Sequence, residues 1–231
     1  MKSQTAKEKL IIYWISSGVL KDKKIISAFR KVKRENFVLP QYKIDTYKDI
    51  PLPTMADQTI SQPTTVAIMT QALEPKSGQK ILEIGSGSGY QAAILSEIVG
   101  AEGKIITIEI VKELFGFAKK NLTSYKNVNV IFGDALKLSK QFAPFDRIIV
   151  AAAAESVPEV LFGHLKAGGI LLIPVGKFEQ RLLKIRKVQG RPAAGSRQLA
   201  ESAGHKPTIA KSGQRITEDL GPFAFVPLVS G

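Results

Sequence analysis

Three carboxylates close three apolar runs in this chain: Glu83 in KILEI, Glu109 in KIITIEI and Asp134 in VNVIFGD. Between the first two lies EIGSGSGY, with Gly85, Gly87 and Gly89 separated by Ser86 and Ser88. Glycines after a buried strand let the backbone turn tightly and let a ligand approach where a side chain would stand in the way. The spacing is not the dinucleotide fingerprint G-x-G-x-x-G, because position 90 is Tyr. A pyrophosphate is best held by a helix amino terminus with no carboxylate beside it. Glu83, two residues before the first glycine, instead suits a ligand with a positive charge, such as an ammonium group. Glu109 is placed to accept from two neighbouring sugar hydroxyls, and Asp134 from an exocyclic amine on a ring. A separate segment, QTISQP at 58–63, sets the small hydroxyl of Ser61 just before Gln62 and Pro63. Proline favours the first position of a helix, so Ser61 has a capping role open to it; the other role is to donate a hydrogen bond to a reacting group.

These residues act together only if the chain brings strand ends and the serine turn to one place, and the hydrophobic pattern says how. Val66, Met69 and Leu73 mark a helix, and KILEI at 80–84 is a buried strand. Apolar helices and further strands then alternate: 104–110, 128–134, 147–153 and 170–175. Strands that are apolar on both faces and separated by helices predict a parallel sheet covered on both sides. The fold class is α/β, a Rossmann-like, doubly wound, mostly parallel seven-stranded sheet. Ahead of it, Ile11, Trp14 and Ile15 share one helical face, and Ile25, Phe29 and Val32 another. They predict an N-terminal helical appendage followed by a long loop, Pro40 to Gln62, of the length often found in functional segments. At the other end RLLKIRKV at 181–188 and FAFVPLV at 223–229 are expected to pair as an antiparallel edge. We divide the chain into an appendage and active-site loop, residues 1–62, and a ligand-binding domain, residues 63–231, with a mobile excursion over 190–216 rich in Ala, Gly, Ser and charge. Carboxylates after three successive strands would grip a cationic nucleoside along its length, and S-adenosylmethionine has that shape and charge.

Composition narrows the chemistry. The 231 residues include no cysteine, which excludes disulfides, thiolate metal sites and a cysteine nucleophile. The two histidines, His164 and His205, lie 41 apart, and no metal site is expected. No segment reads as a secretory signal or a bilayer span, so a soluble cytoplasmic protein without membrane contact is expected, with a monomer favoured. The net charge of +13 favours anionic partners but is scattered, the mark of a solvated cationic surface.

LEIGSGSGYQAAIL resembles the first motif of class I S-adenosylmethionine-dependent methyltransferases. Together with PLP at 51–53, QTISQP, FDRIIVAAAA at 145–154, LKAGGILLIPVG at 165–176 and FVPLV at 225–229, the chain resembles the protein-L-isoaspartate O-methyltransferase family. The resemblance implies methylation of the α-carboxylate of L-isoaspartyl residues in damaged proteins and peptides, an ester that recloses to a succinimide and so permits repair. It implies S-adenosyl-L-methionine as cofactor and S-adenosyl-L-homocysteine as product. It makes Ser61 the catalytic residue, with cofactor contacts at Gln58, Thr59, Ile60 and Ser61, at Ser88 in the glycine loop, and at Glu109, Asp134, Ala135 and Leu136; the reading of the turn itself adds Glu83, Gly85, Ser86, Gly87 and Gly89 to the cofactor side. The sequence departs from the family pattern at Asp57, where glycine is common, at Thr64 and Thr65, where a pocket wall of aromatic or histidine is expected, and at Ala135. Two alternatives are a nucleic-acid (tRNA) methyltransferase on the same fold, disfavoured because the 52–62 loop offers no aromatic for stacking, and a non-catalytic module that binds an adenosyl ligand.

Overall fold

The computed structural model describes residues 5–188, 208–209 and 215–229. Most of the expected excursion over 190–216 therefore lies outside the described residues. Helix α1, Ala6–Ser16, starts at Thr5, whose hydroxyl accepts from the Glu8 N–H; α2, Lys23–Lys31, starts at Asp22, whose carboxylate accepts from Lys24 and Ile25. Ile11, Trp14, Ile25, Ala28 and Phe29 point inward, while Ile15, a hundred degrees past Trp14, falls off the stripe and is 40% exposed.

The segment Pro40 to Gln62 is more ordered than its lack of period implies. Two 3₁₀ turns, Arg34–Asn36 and Pro40–Asp45, lead into a small antiparallel hairpin of β1, Leu52–Pro53, and β2, Thr59–Ile60. Its tip places Ala56 and Asp57 both at φ 54°, with Gln58 N–H bonded to the Met55 carbonyl. That is the backbone of a turn which glycine and asparagine adopt most readily. Helix α3 follows over Pro63–Leu73.

The main sheet then forms from β3 (Lys80–Ile84), β4 (Lys104–Glu109), β5 (Val128–Phe132), β6 (Phe145–Val150), β7 (Leu165–Val175), β8 (Gln180–Lys187), β9 (Thr208–Ile209) and β10 (Arg215–Phe223), in the spatial order β5-β4-β3-β6-β7-β8-β10-β9. The five strands from β5 to β7 are parallel, and β8, β10 and β9 are antiparallel. Six of the seven expected strands are present; the seventh place is taken by β10 in place of 223–229, and the two-residue β9 adds an eighth strand at the edge. Helices α4 (Tyr90–Val99), α5 (Lys112–Asn121), α6 (Ala135–Leu138) and α7 (Glu159–Gly163) make the connections. Alternation along the strands sends Ile81, Ile105, Ile149 and Leu172 to one core, shared with Trp14, Phe29, Val66 and Leu95, and Leu82, Ile106, Ile148 and Leu171 to another, beneath α7. Each fully buried Ile or Leu contributes about 1.5–3 kcal/mol. The chain runs outward from β3 through β4 to β5 and then returns to the other side of β3, so the order reverses there. A crevice at the carboxyl end of β3 is where such sheets bind ligands.

The expected edge pairing needs correction. β10, not 223–229, pairs with β8, from Arg215 opposite Lys187 to Phe223 opposite Gln180. Pro227 has no N–H to give a ladder, and the residues after Phe223 leave the edge to cross the strand ends. There Ala153 N–H donates to the Val226 carbonyl and Leu228 N–H to the Ala153 carbonyl, both at 2.8 Å. The Gln180 amide clamps Phe225 from both sides, at 2.9 and 2.6 Å. Among the described residues no helix is long and apolar enough to cross a membrane.

Candidate active site

The turn after β3 needs its glycines. Gly85, Gly87 and Gly89 have φ of 85°, 51° and 88°, values an L side chain rarely adopts. Gly89 is also sterically closed, since a Cβ there would meet Leu122 Cδ1 at 2.8 Å. A Cβ on Gly87 would meet nothing within 4 Å and would project into open space. The Gly89 conformation starts α4, whose first residue, Tyr90, is buried.

Strand register sets the carboxylates around this turn. Glu83 in β3 lies opposite Thr107 in β4, and its side chain is 1% exposed. Thr107 donates to Glu83 Oε2 at 2.5 Å, and the Ser86 and Thr107 hydroxyls are 2.7 Å apart. Among the described residues Glu83 Oε1 is buried without a partner. Burial pushes the Glu83 carboxyl up to about 8, the Thr107 hydrogen bond opposes this, and neighbouring Glu109 adds to it. Glu109, at the last position of β4, is oriented by two backbone donors, Gly87 N–H at 2.9 Å and Val111 N–H at 3.0 Å. Each of its oxygens keeps a further lone pair. Asp134 follows β5 and caps α6 by accepting from Leu136 N–H at 2.8 Å, with Lys137 Nζ 3.8 Å from its second oxygen.

All three carboxylates line one cleft at the carboxyl ends of β3 and β4. Gln58, Thr59, Ile60 and Ser61 form its opposite wall, and Gly85, Ser86, Gly87, Ser88, Ala135 and Leu136 also border it. Of the fourteen residues expected to contact cofactor or acceptor, only Gly89 does not. Missed were Tyr90 and Gln91 at the start of α4, Ala152 after β6, and Val226 to Val229, which close the cleft. The composition of FVPLV marked a strand, and nothing local marks it as a wall.

The serine turn is built from distant parts. Ser61 lies between β2 and Gln62, the residue that caps α3 without a side-chain bond. Its hydroxyl has no protein partner among the described residues, so the capping role does not fall to it. The amino end of α3 is instead capped by Asp49, which accepts from Thr64 N–H at 2.9 Å and from the Thr64 hydroxyl at 2.6 Å; Trp14 Nε1 donates to that hydroxyl at 2.8 Å. Thr64 and Thr65 do not border the cleft, and the wall expected there is absent because Thr64 is turned to this pin. The Ser61 carbonyl accepts from Arg34 Nη2 at 2.9 Å.

The fit to the expected cofactor rests on these atoms: an orphaned carboxylate oxygen at Glu83 for a cation, free lone pairs on Glu109 for hydroxyls, and open space beside Gly87 where a side chain would intrude. With the strand order, this puts the chain in class I of the S-adenosylmethionine-dependent methyltransferases. Residues 4–200 match the model of the protein-L-isoaspartate(D-aspartate) O-methyltransferases, and the chain belongs to that family. It is 47% identical over 194 residues to a protein-L-isoaspartate O-methyltransferase of Staphylothermus marinus, covering 80% of this chain and 86% of the relative. It is 46% identical over 178 residues to that of Methanococcus vannielii, covering 76% and 85%. A solved protein-L-isoaspartate O-methyltransferase superposes with a TM-score of 0.78 at 26% identity, over 97% of this chain and 66% of that one. A Plasmodium falciparum structure assigned to the same activity, in complex with S-adenosyl-L-homocysteine, superposes with a TM-score of 0.77 at 23% identity, over 99% of this chain and the whole of that one, and supports the fold. The methyl donor of this family is S-adenosyl-L-methionine.

Proposed function

We propose that this enzyme transfers a methyl group to the α-carboxylate of L-isoaspartyl residues in damaged proteins and peptides. The observation that carries the reading is the Ser61 hydroxyl, unclaimed by protein and bordering the same cleft as the carboxylate-ringed glycine turn. S-adenosyl-L-methionine supplies the methyl on a cationic sulfur and leaves as S-adenosyl-L-homocysteine. Glu83 and the glycine turn hold its amino-acid end, Glu109 its ribose, and Asp134 with Ala135 and Leu136 its base.

The acceptor needs little activation. An α-carboxylate titrates near 3.3–3.7 in general, so it is ionised at neutral pH and the chain needs no general base. What remains is orientation and exclusion of water, together worth several kcal/mol. Ser61 donates one hydrogen bond to the carboxylate, holding one oxygen and leaving the other free to react. A lysine at this position would neutralise the nucleophile instead. Val226, Pro227 and Leu228 cover the cleft with apolar surface and exclude solvent from the reacting atoms. We place the activity in the cytoplasm, in keeping with a chain that has no cysteine.

The test is methyl transfer from radiolabelled S-adenosylmethionine to an isoaspartyl peptide, its normal aspartyl twin and bulk tRNA. Label on the isoaspartyl peptide alone is expected. Label on tRNA alone overturns the reading in favour of a nucleic-acid enzyme, and cofactor binding with no label anywhere overturns it in favour of a binding module.

A further inference from the structure

Directly behind the Ser61 turn sits a cation that forms no close ion pair among the described residues. Arg34 belongs to the 3₁₀ turn after α2 and is completely buried. Its Nε donates to the Thr46 carbonyl at 3.0 Å and its Nη2 to the Ser61 carbonyl at 2.9 Å, while Nη1 is buried without a partner among the described residues. Arginine remains charged inside proteins, and a buried charge is normally paired with an opposite one. Here the carboxylates nearby are hydrogen-bonded to other groups, Glu35 to the Tyr47 hydroxyl and Asp49 to Thr64, and Asp49 acts on Arg34 only through space, without a hydrogen bond to it. Neither forms an ion pair with Arg34. The guanidinium also lies over the Tyr90 ring, 5.1 Å from its centre, and Tyr90 opens α4 at the far side of the cleft. One side chain thus touches both the acceptor turn and the helix that begins at the glycine loop.

We propose that Arg34 is a positioning residue for methyl transfer, fixing the Ser61 turn against α4 and supplying, through low-dielectric protein, the counter-charge that draws the acceptor carboxylate to that turn. A purely structural strut here would work as well with a neutral side chain, and would avoid the cost of an unpaired buried ion. An anion arriving at Ser61 offsets that cost, so binding should select carboxylate over its uncharged twin. This inference rests on the reading of Ser61 given above.

The experiment compares the holoenzyme and two variants, Arg34→Lys and Arg34→Met, with an isoaspartyl peptide and the same peptide carrying an α-carboxamide. The amide twin is measured as a competitive inhibitor, and S-adenosyl-L-homocysteine affinity and thermal stability are measured alongside. The unaltered enzyme should prefer carboxylate by at least tenfold. Arg34→Lys, which keeps the charge but not the fork of donors, should keep most of that preference and lose about tenfold in kcat. Arg34→Met should lose the preference, with S-adenosyl-L-homocysteine affinity within about threefold of the original. Retained preference in folded Arg34→Met overturns the proposal, as does equal weakening of both peptides and the cofactor product, which a strut alone would produce. Should Arg34→Met fail to fold, Arg34→Lys decides: full kcat overturns the proposal, and reduced kcat with preference intact supports it. An unaltered enzyme that methylates no isoaspartyl peptide would instead remove the functional reading on which the inference stands.

Discussion

Glu83→Gln removes a carboxylate whose charge is costly in the empty protein and useful in the occupied one. With its carboxyl raised to about 8, about nine-tenths of Glu83 is neutral at pH 7. A ligand ammonium beside the orphaned Oε1 would return it to the ionised form. Binding at pH 7 should then release about 0.9 proton, a quantity read by calorimetry with S-adenosyl-L-homocysteine in two buffers of different ionisation enthalpy. An ion pair at 4 Å is worth about 4 kcal/mol at an effective dielectric constant of 20. Deprotonating the carboxyl at pH 7 takes back about 1.4 kcal/mol. The net of about 2–3 kcal/mol corresponds to roughly 30- to 150-fold weaker binding in Glu83→Gln. Wild-type affinity should tighten from pH 6 to 7.5, while the variant stays flat. In the ligand-free protein the sign reverses. A carboxyl raised from an ordinary value near 4.5 to about 8 stabilises the fold fully below 4.5 and loses that contribution as pH climbs through 8. Glu83→Gln should therefore match wild type near pH 4.5 and exceed it by about 3 kcal/mol at pH 7, approaching about 5 kcal/mol at pH 9. Urea unfolding across that range measures the gap. Equal proton release in the two proteins, or parallel stability curves, would refute the assignment of Glu83 as a buried carboxyl awaiting a cation.

Ser61→Ala should lower kcat on an isoaspartyl peptide by about 10- to 100-fold, since hydrogen bonds to charged groups are worth about 1.5–3 kcal/mol, with cofactor affinity changed only several-fold; a collapse of cofactor binding would make Ser61 chiefly structural. Glu109→Ala should weaken S-adenosylmethionine binding by about 1–3 kcal/mol, because it strips the ribose of its acceptor and leaves two backbone donors, on Gly87 and Val111, without theirs; unchanged affinity in equilibrium dialysis would retire the ribose assignment. Ala56→Gly should raise stability by about 0.5–1 kcal/mol, since alanine is strained at φ 54° by about 1–2 kcal/mol and glycine gives back part of this as unfolded-chain entropy; an unchanged or lower melting temperature would show that the hairpin tip is not strained.

The side of the cleft that we assign to the methyl donor was legible as geometry because it repeats one local rule. An apolar run, then a carboxylate or glycine, then a helical period marks each strand end, and the parallel register does the rest by placing Glu83 opposite Thr107. Strand ends were read one to three residues too long at Ile110, Asp134 and Ala153, since an apolar or small residue looks the same on the last rung and just past it. The C-terminal stretch shows where composition misleads. FAFVPLV has the residues of a strand, but the antiparallel position beside β8 is taken by Arg215–Phe223, whose charged and polar residues carry little strand pattern. Edge strands are selected by which backbone reaches the open ladder, a matter of chain path that residue type does not encode.

The side that we assign to the acceptor was illegible for a different reason. Its geometry depends on pairings with no period: Trp14 with Thr64, Arg34 with Ser61, Asp49 with Thr64. Each joins a helix or turn of the N-terminal appendage to the first residues around α3, and each replaces a local solution that the sequence seemed to offer. Ser61 had the right type and place to cap α3, yet Asp49 does so from fifteen residues away, which frees the Ser61 hydroxyl for the cleft. Thr64 stood where a pocket wall was expected, yet it is drawn out of the cleft as the middle of a three-residue pin. A side chain that is to meet substrate, the role we propose for Ser61, must be held without being used up in holding, so its support comes from its backbone and from distant residues. For Ser61 that support is the Arg34 bond to its carbonyl, which orders the turn and leaves the hydroxyl available.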